Sequence, residues 1–187
     1  MISLYLQHVR HDSPSMAGMA LLPEVLSVLV ASPLSGRITG RTGPRLPMTI
    51  GMLLGAAGFG GLALVRPATS FGLLVPPMIA AGFGASFTMP AATAAVMGAV
   101  PVDRGGLGSG VLNASRQVGG AIGIALLGAM VAAGHQFATG MHLAMMTAAI
   151  AYVAGAVVSS TTITDLGHGR AGRPRNGDYE DRLRRTT

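Results

Sequence analysis

The feature that most constrains this chain is the distance between its charged residues. No charge lies between Arg45 and Arg66, and none occurs over the 36 positions between Arg66 and Asp103. Between Asp12 and Arg37 the only charge is Glu24, and between Arg104 and Asp165 the only charge is Arg116. A helix crossing the hydrocarbon core of a bilayer needs about 20 apolar residues. In lipid, every backbone polar group must be satisfied within the segment or within a closed barrel. The gaps therefore predict five membrane helices, near 16–35, 46–65, 71–100, 107–133 and 137–163, and an all-α, polytopic transmembrane bundle over 9–164. The third stretch is long for one straight crossing and short for two. Pro76, Pro77 and Pro90 predict an interfacial start and a kink there.

Composition closes the alternatives. Only 11% of the residues are charged, against roughly 25% in a soluble domain, and the mean hydropathy is +0.53. With no cysteine in the chain, disulfides and thiolate metal sites are excluded. The net charge of +6 does not mark a nucleic-acid binder, because the arginines sit in short loops and the tail rather than on an aromatic-rich face. They act instead as topological signals. Alternating loops place Arg37, Arg41, Arg45, Arg104 and six tail arginines on one side, against Arg10 and Arg66 on the other. The positive-inside rule then puts the first side, with the C-terminus, in the cytoplasm. The polar, Gly- and Arg-rich tail 165–187 reads as disordered. Residues 1–8 are apolar, too short to span, and lack a basic n-region or cleavage site. They read as the end of a membrane helix whose beginning is missing.

Two stretches carry motifs. Gly36–Arg45 is a Gly- and Arg-rich segment between the first two spans, with Gly36, Arg41, Gly43 and Arg45 among its glycines and arginines. In the fourth span, Gly106, Gly110, Asn113, Gln117 and Gly120 recur at i, i+4, i+7, i+11 and i+14 with Arg116 beside them, one small-and-polar stripe on a helix. Small residues let helices approach closely in lipid, so the glycines read equally well as a packing seam. Arg116 differs. It lies about 18 Å beyond Arg104 at about 1.5 Å per residue, near the midplane. An insertion cost of about 2.5–3.5 kcal/mol requires it to face a partner or a water-filled cavity.

These stretches resemble motifs of the major facilitator superfamily. Gly36–Arg45 is similar to its G-x-x-x-D-R-x-G-R-R loop, which joins the second and third helices of each six-helix half. Gly40 stands at the Asp position and Pro44 replaces one Arg. Leu112–Gly123 looks like the L-N-x-x-R-Q-x-G-G-x-x-G segment in the penultimate helix of fourteen-span drug:proton antiporters. It also echoes the G-P-x-x-G-G antiporter motif of the first half, as internal repeats would produce. Tyr5–Gln7, Ser13-Pro14, Ala17-Gly18 and Leu22-Pro23 look like the start of the second helix of the C-terminal half. The resemblance reaches about Thr164. It implies the C-terminal half of such a fold with its first helix truncated, and alternating access in which proton flow drives export of a small molecule. The partners it implies are the bilayer, the substrate, protons and the N-terminal half.

Glu24 is the only acid inside a span and lies near mid-depth, with Ser27, Ala31 and Ser35 continuing its face into the bundle. A membrane-embedded carboxyl can load and release protons, which makes Glu24 the proton-coupling candidate; the alternative is a structural ion pair with Arg116. Asn113, Arg116 and Gln117 are cavity or interface candidates. Ser86, Pro90 and Thr93 repeat at helical spacing in the third span and read either as the lining of a substrate path or as packing. His8, His11, His135, His142 and His168 show no metal-ligand spacing. No phosphate-binding Gly loop and no nucleophile–base set occurs, so neither a cofactor nor an enzyme is expected. The expected function is proton-coupled efflux of drugs or other small molecules from a multi-pass position in the plasma membrane. A permease for another metabolite, and a non-transporting membrane subunit or inactive fragment, remain as alternatives.

Overall fold

A computed structural model describes residues 6–7, 13–66, 69–134 and 137–163. The expectations for the tail 165–187 and for His8, Arg10, His11, His135 and His168 lie outside the described residues. The elements in chain order are α1 (Pro14–Ala20), α2 (Leu22–Thr42), α3 (Arg45–Ala63), α4 (Phe71–Ala99), a 3-10 turn (Val102–Arg104), α5 (Gly105–Ala133) and α6 (Phe137–Thr162). Five spans are long and apolar enough to cross a membrane, α1 and α2 counting together as Pro14–Thr42. No strand occurs among the described residues. The fold is an all-α bundle.

Local chemistry sets the helix ends. Ser13 caps α1 by accepting from the Met16 amide at 3.3 Å, with Pro14 in the first turn, where its missing N–H costs nothing. The first span is jointed at Leu21, because Pro23 cannot donate to the preceding turn. One boundary differs from the sequence expectation. The first span does not stop at residue 35. Helix α2 continues through Gly36, Arg37 and Arg41 to Thr42, and the turn is confined to Gly43 and Pro44. Gly43 sits at φ 83°, a left-handed conformation that glycine adopts without a Cβ clash. Arginine is a good helix former, so the arginines that mark the edge of the membrane need not end the helix. The third span, despite its three prolines, is a single 29-residue helix.

Helix α3 lies between α4 and α6. Cβ atoms added at Gly51 and Gly84 would collide with the opposing backbone, Gly84 falling 2.6 Å from the Gly51 carbonyl oxygen, and Gly58 faces the Ala81 backbone. Such contact of backbones is what holds helices together in lipid, where no hydrophobic effect acts between them. On its other side, α3 interlocks with α6. The Tyr152 ring lies over Gly55, Met52 lies over Gly155, and the Phe59 and Tyr152 rings are 5.2 Å apart. The two ends of this pair are tied by Thr49 to Ser159 at 3.1 Å and by His142 Nε2 to the Val65 carbonyl. Helix α2 packs on α4 through two reciprocal bonds, Ser35 donating to the Phe87 carbonyl and Ser86 to the Val28 carbonyl at 3.1 Å. Leu6 is buried with Ala17, Leu62, Leu74, Met78, Met141 and Met145 at the Val65 end.

Helix α5 is the outlier. None of its most apolar 18-residue window is buried, against 17–39% for the other four spans. It touches α4 near its start, where Gly108 meets Val100, and α6 near its end, where Gly140 meets Met130 and Val131.

Candidate functional site

The site is built on α5. Arg116 is the twelfth residue of this helix, about 17 Å from its start, roughly half the thickness of a hydrocarbon core. Its Nη2 donates to Thr93 Oγ1 at 2.8 Å and to the Met89 carbonyl at 3.2 Å, both on α4. Thr93 in turn donates to the same carbonyl at 3.0 Å. Met89 immediately precedes Pro90, so the guanidinium is anchored at the proline position of α4. Both acceptors are neutral. The one ion pair among the described residues is Arg104 with Asp103 at 3.9 Å, on the exposed surface at the helix end. Arg116 thus carries its charge at mid-depth with no acidic partner among the described residues.

Asn113 and Gln117 are one turn apart on α5, and both are exposed. Cβ atoms at Gly106, Gly110 and Gly120 would meet nothing within 4 Å. Within this bundle the stripe packs against no other helix at these glycines. At about 100° per residue, Leu107, Val111, Val118 and Ile122 fall on the opposite face. They are equally uncovered, at 67%, 56%, 59% and 61% exposure. One helix therefore presents a polar face, touched by α4 through Arg116, and an apolar face, both largely exposed in this bundle.

Glu24 lies in the first turn of α2, half-buried. Ser27, Ala31 and Ser35 below it are all buried against α4. A Cβ on Gly82 would lie 3.0 Å from Glu24 Cγ and 2.6 Å from Ser27 Oγ, so the carboxyl arm rests on a glycine of α4. The sequence reading missed Gly82; nothing distinguishes it from the other glycines of that span before the pairing of α2 with α4 is known. The structure does not bring Glu24 and Arg116 together. One sits against Gly82 and the other against Met89, seven residues apart on α4, or about 10 Å at the helical rise.

The remaining candidates separate. Ser86 is buried in the α2–α4 seam and bonded to Val28, which makes it a packing residue rather than part of an open path. Thr93 is the Arg116 anchor. Gly36 and Arg41 lie within α2, Gly43 forms the turn and Arg45 starts α3. They occupy the same end of the bundle as Arg104, as the alternation of spans requires.

The model of the Major Facilitator Superfamily matches residues 1–179. The chain belongs to the major facilitator superfamily. Among curated relatives of this superfamily chain, the multidrug resistance protein Stp of Mycobacterium tuberculosis is 35% identical over 129 residues, covering 69% of this chain and 24% of that protein. The tetracenomycin C resistance and export protein of Streptomyces glaucescens is 32% identical over 131 residues, 70% of this chain and 24% of that protein. The uncharacterized transporter YebQ of Escherichia coli is 33% identical over 167 residues, 88% of this chain and 36% of that protein. The chain spans about a quarter to a third of the length of these relatives. It is a multi-pass membrane protein of the superfamily, with α5 exposing both a polar and an apolar face.

Proposed function

We propose that this bundle is one half of a proton-coupled exporter of drugs or other small molecules, working by alternating access in the plasma membrane with its C-terminus in the cytoplasm. Helix α5 carries the reading. A guanidinium at mid-depth is stable only beside water or a polar partner, and apart from the tie of Arg116 to Met89 and Thr93 the face that bears it is left exposed by the other spans. A second half-bundle would enclose that face as the wall of a central cavity, with Asn113, Arg116 and Gln117 lining it and the Leu107–Ile122 face turned to lipid. Relatives named for multidrug resistance and for antibiotic resistance and export favour efflux over uptake. Glu24 is the proposed proton carrier, as the only acid in a described span.

The test uses the intact gene in a bacterial host lacking its own drug pumps. Anionic, neutral and cationic dyes are loaded, and efflux is followed under an imposed pH gradient. Gradient-driven efflux that collapses with a protonophore supports the reading. Glu24→Gln should abolish that uphill efflux while downhill exchange persists, because binding and coupling are separable steps. Gradient-driven uptake would replace the exporter by a permease, and absence of any flux would leave a non-transporting subunit. The 187-residue chain reconstituted by itself should give no proton-coupled flux, since its cavity face would then have no opposite wall.

A further inference from the structure

The anchoring of Arg116 bears on what the cavity binds. Its bonds to Thr93 and the Met89 carbonyl both use Nη2, leaving Nε and Nη1 without an acceptor among the described residues. Asn113 and Gln117 stand beside it, exposed and engaged in no hydrogen bond among the described residues. Glycine on the same face, at Gly110 and Gly120, leaves the space in front of them open. No Asp or Glu occurs in α4, α5 or α6, and Glu24 rests elsewhere, on Gly82. The result is one fixed positive charge, held still by a neighbouring helix and flanked by two amides. Its free donors have nothing of the chain's own to bind. A structural ion pair would need one carboxylate opposite one guanidinium, not an anchored guanidinium with two free amides beside open space. Beside open space, such an array can bind a negatively charged or strongly accepting oxygen group through charge-assisted hydrogen bonds.

We infer that Arg116, with Asn113 and Gln117, forms the subsite for an anionic group of the transported molecule, a carboxylate, phenolate or sulfonate. The inference rests on the cavity assigned to α5 under the proposed function. The guanidinium supplies charge and donors, the amides fix the orientation of the oxygen group, and the tie to α4 keeps the guanidinium from swinging away when the site is empty. Arg116 is then a binding residue with its own anchor. Glu24 remains free to exchange protons without competing for it.

The experiment is equilibrium dye binding to the purified protein from the intact gene in lipid nanodiscs, read by fluorescence anisotropy and independent of any flux. The probes are carboxyfluorescein, an anion, and ethidium, a cation. Saturable carboxyfluorescein binding is expected. Arg116→Gln should weaken it at least about tenfold, the scale of one charge-assisted hydrogen bond, without weakening ethidium. Asn113→Asp places a carboxylate one turn from the guanidinium, where it neutralises the charge from within. It should give the same selective loss, and it tests the idea even if Arg116→Gln fails to fold. Absent carboxyfluorescein binding, binding unchanged in both variants, or equal loss of both dyes would overturn the subsite. Unchanged dye binding with reduced Arg116→Gln abundance would assign the guanidinium to an acid elsewhere in the protein, which also overturns it. Selective binding without gradient-driven efflux would instead remove the exporter reading and leave the subsite standing.

Discussion

Replacing Gly84 with alanine tests what holds the bundle together. The new Cβ would lie 2.6 Å from the Gly51 carbonyl oxygen and from the Gly55 Cα, and closer still to the Gly55 amide nitrogen, where ordinary contact begins at 3.4 Å. All three obstacles are backbone, so no side chain can swing aside, and α3 and α4 must separate by about 1 Å locally. Overpacking of this kind costs about 1–3 kcal/mol. Alanine regains about 0.5–1 kcal/mol over glycine inside a helix. The net loss is then about 1–2 kcal/mol, a factor of about 5–30 in the folded ratio. Gly60→Ala is the matched control on α3, because its Cβ would meet nothing within 4 Å and only the propensity gain remains. The assay is the fraction of monodisperse protein surviving a temperature ramp in mild detergent. Gly84→Ala should melt below wild type and Gly60→Ala at or above it. Equal melting of the two variants would refute the claim that backbone contact between α3 and α4 carries the stability.

Glu24 and Arg116 lie about 10 Å apart along α4 with no bond between them, so the effects of Glu24→Gln and Arg116→Gln on membrane abundance should add. Rescue of one by the other would show a pair that the structure lacks. Gly43→Ala, at φ 83°, should lower thermal stability by about 1–2 kcal/mol, whereas Gly40→Ala, in the last turn of α2 with open space around its Cβ, should not; the same melting assay compares them. With the arginine-rich side inside, Thr42→Cys should resist an impermeant thiol reagent in intact cells and Gly134→Cys should react; the opposite pattern would invert the topology. Thr93→Val removes one of the two Arg116 acceptors without changing side-chain volume greatly, and should cost about 1 kcal/mol of stability, measured beside Thr147→Val, a half-buried residue bonded mainly within its own helix turn.

The sequence carried the all-α membrane class because charge is so costly in a bilayer that its absence alone outlines the spans. It was less able to place helix ends. Arg37 and Arg41 signal the edge of the membrane, while α2 ends only where Gly43 and Pro44 forbid another turn. The stripe on α5 was visible as periodicity, and so was the isolation of Arg116. Whether the glycines there pack or open depends on which helices come alongside, and that is decided by pairings remote in sequence. The same applies to Glu24. Its inward face could be read from Ser27, Ala31 and Ser35, but its seat on Gly82 depends on the packing of α2 against α4. Ser86 and Thr93, two turns apart on one helix, looked alike in sequence and have different neighbours, Val28 for the first and Arg116 for the second.

The central claim is that one face of α5 borders water inside the assembled protein while the opposite face borders lipid. These 187 residues contain no native cysteine, so once any cysteine elsewhere in the intact protein is replaced, single cysteines placed here report alone. In membranes containing the protein from its intact gene, Asn113→Cys and Gln117→Cys should react with a small water-soluble thiol reagent, and Val111→Cys and Val118→Cys, just as exposed in this bundle, should not. Equal reactivity on both faces, or protection of Asn113→Cys and Gln117→Cys alone, would contradict the account.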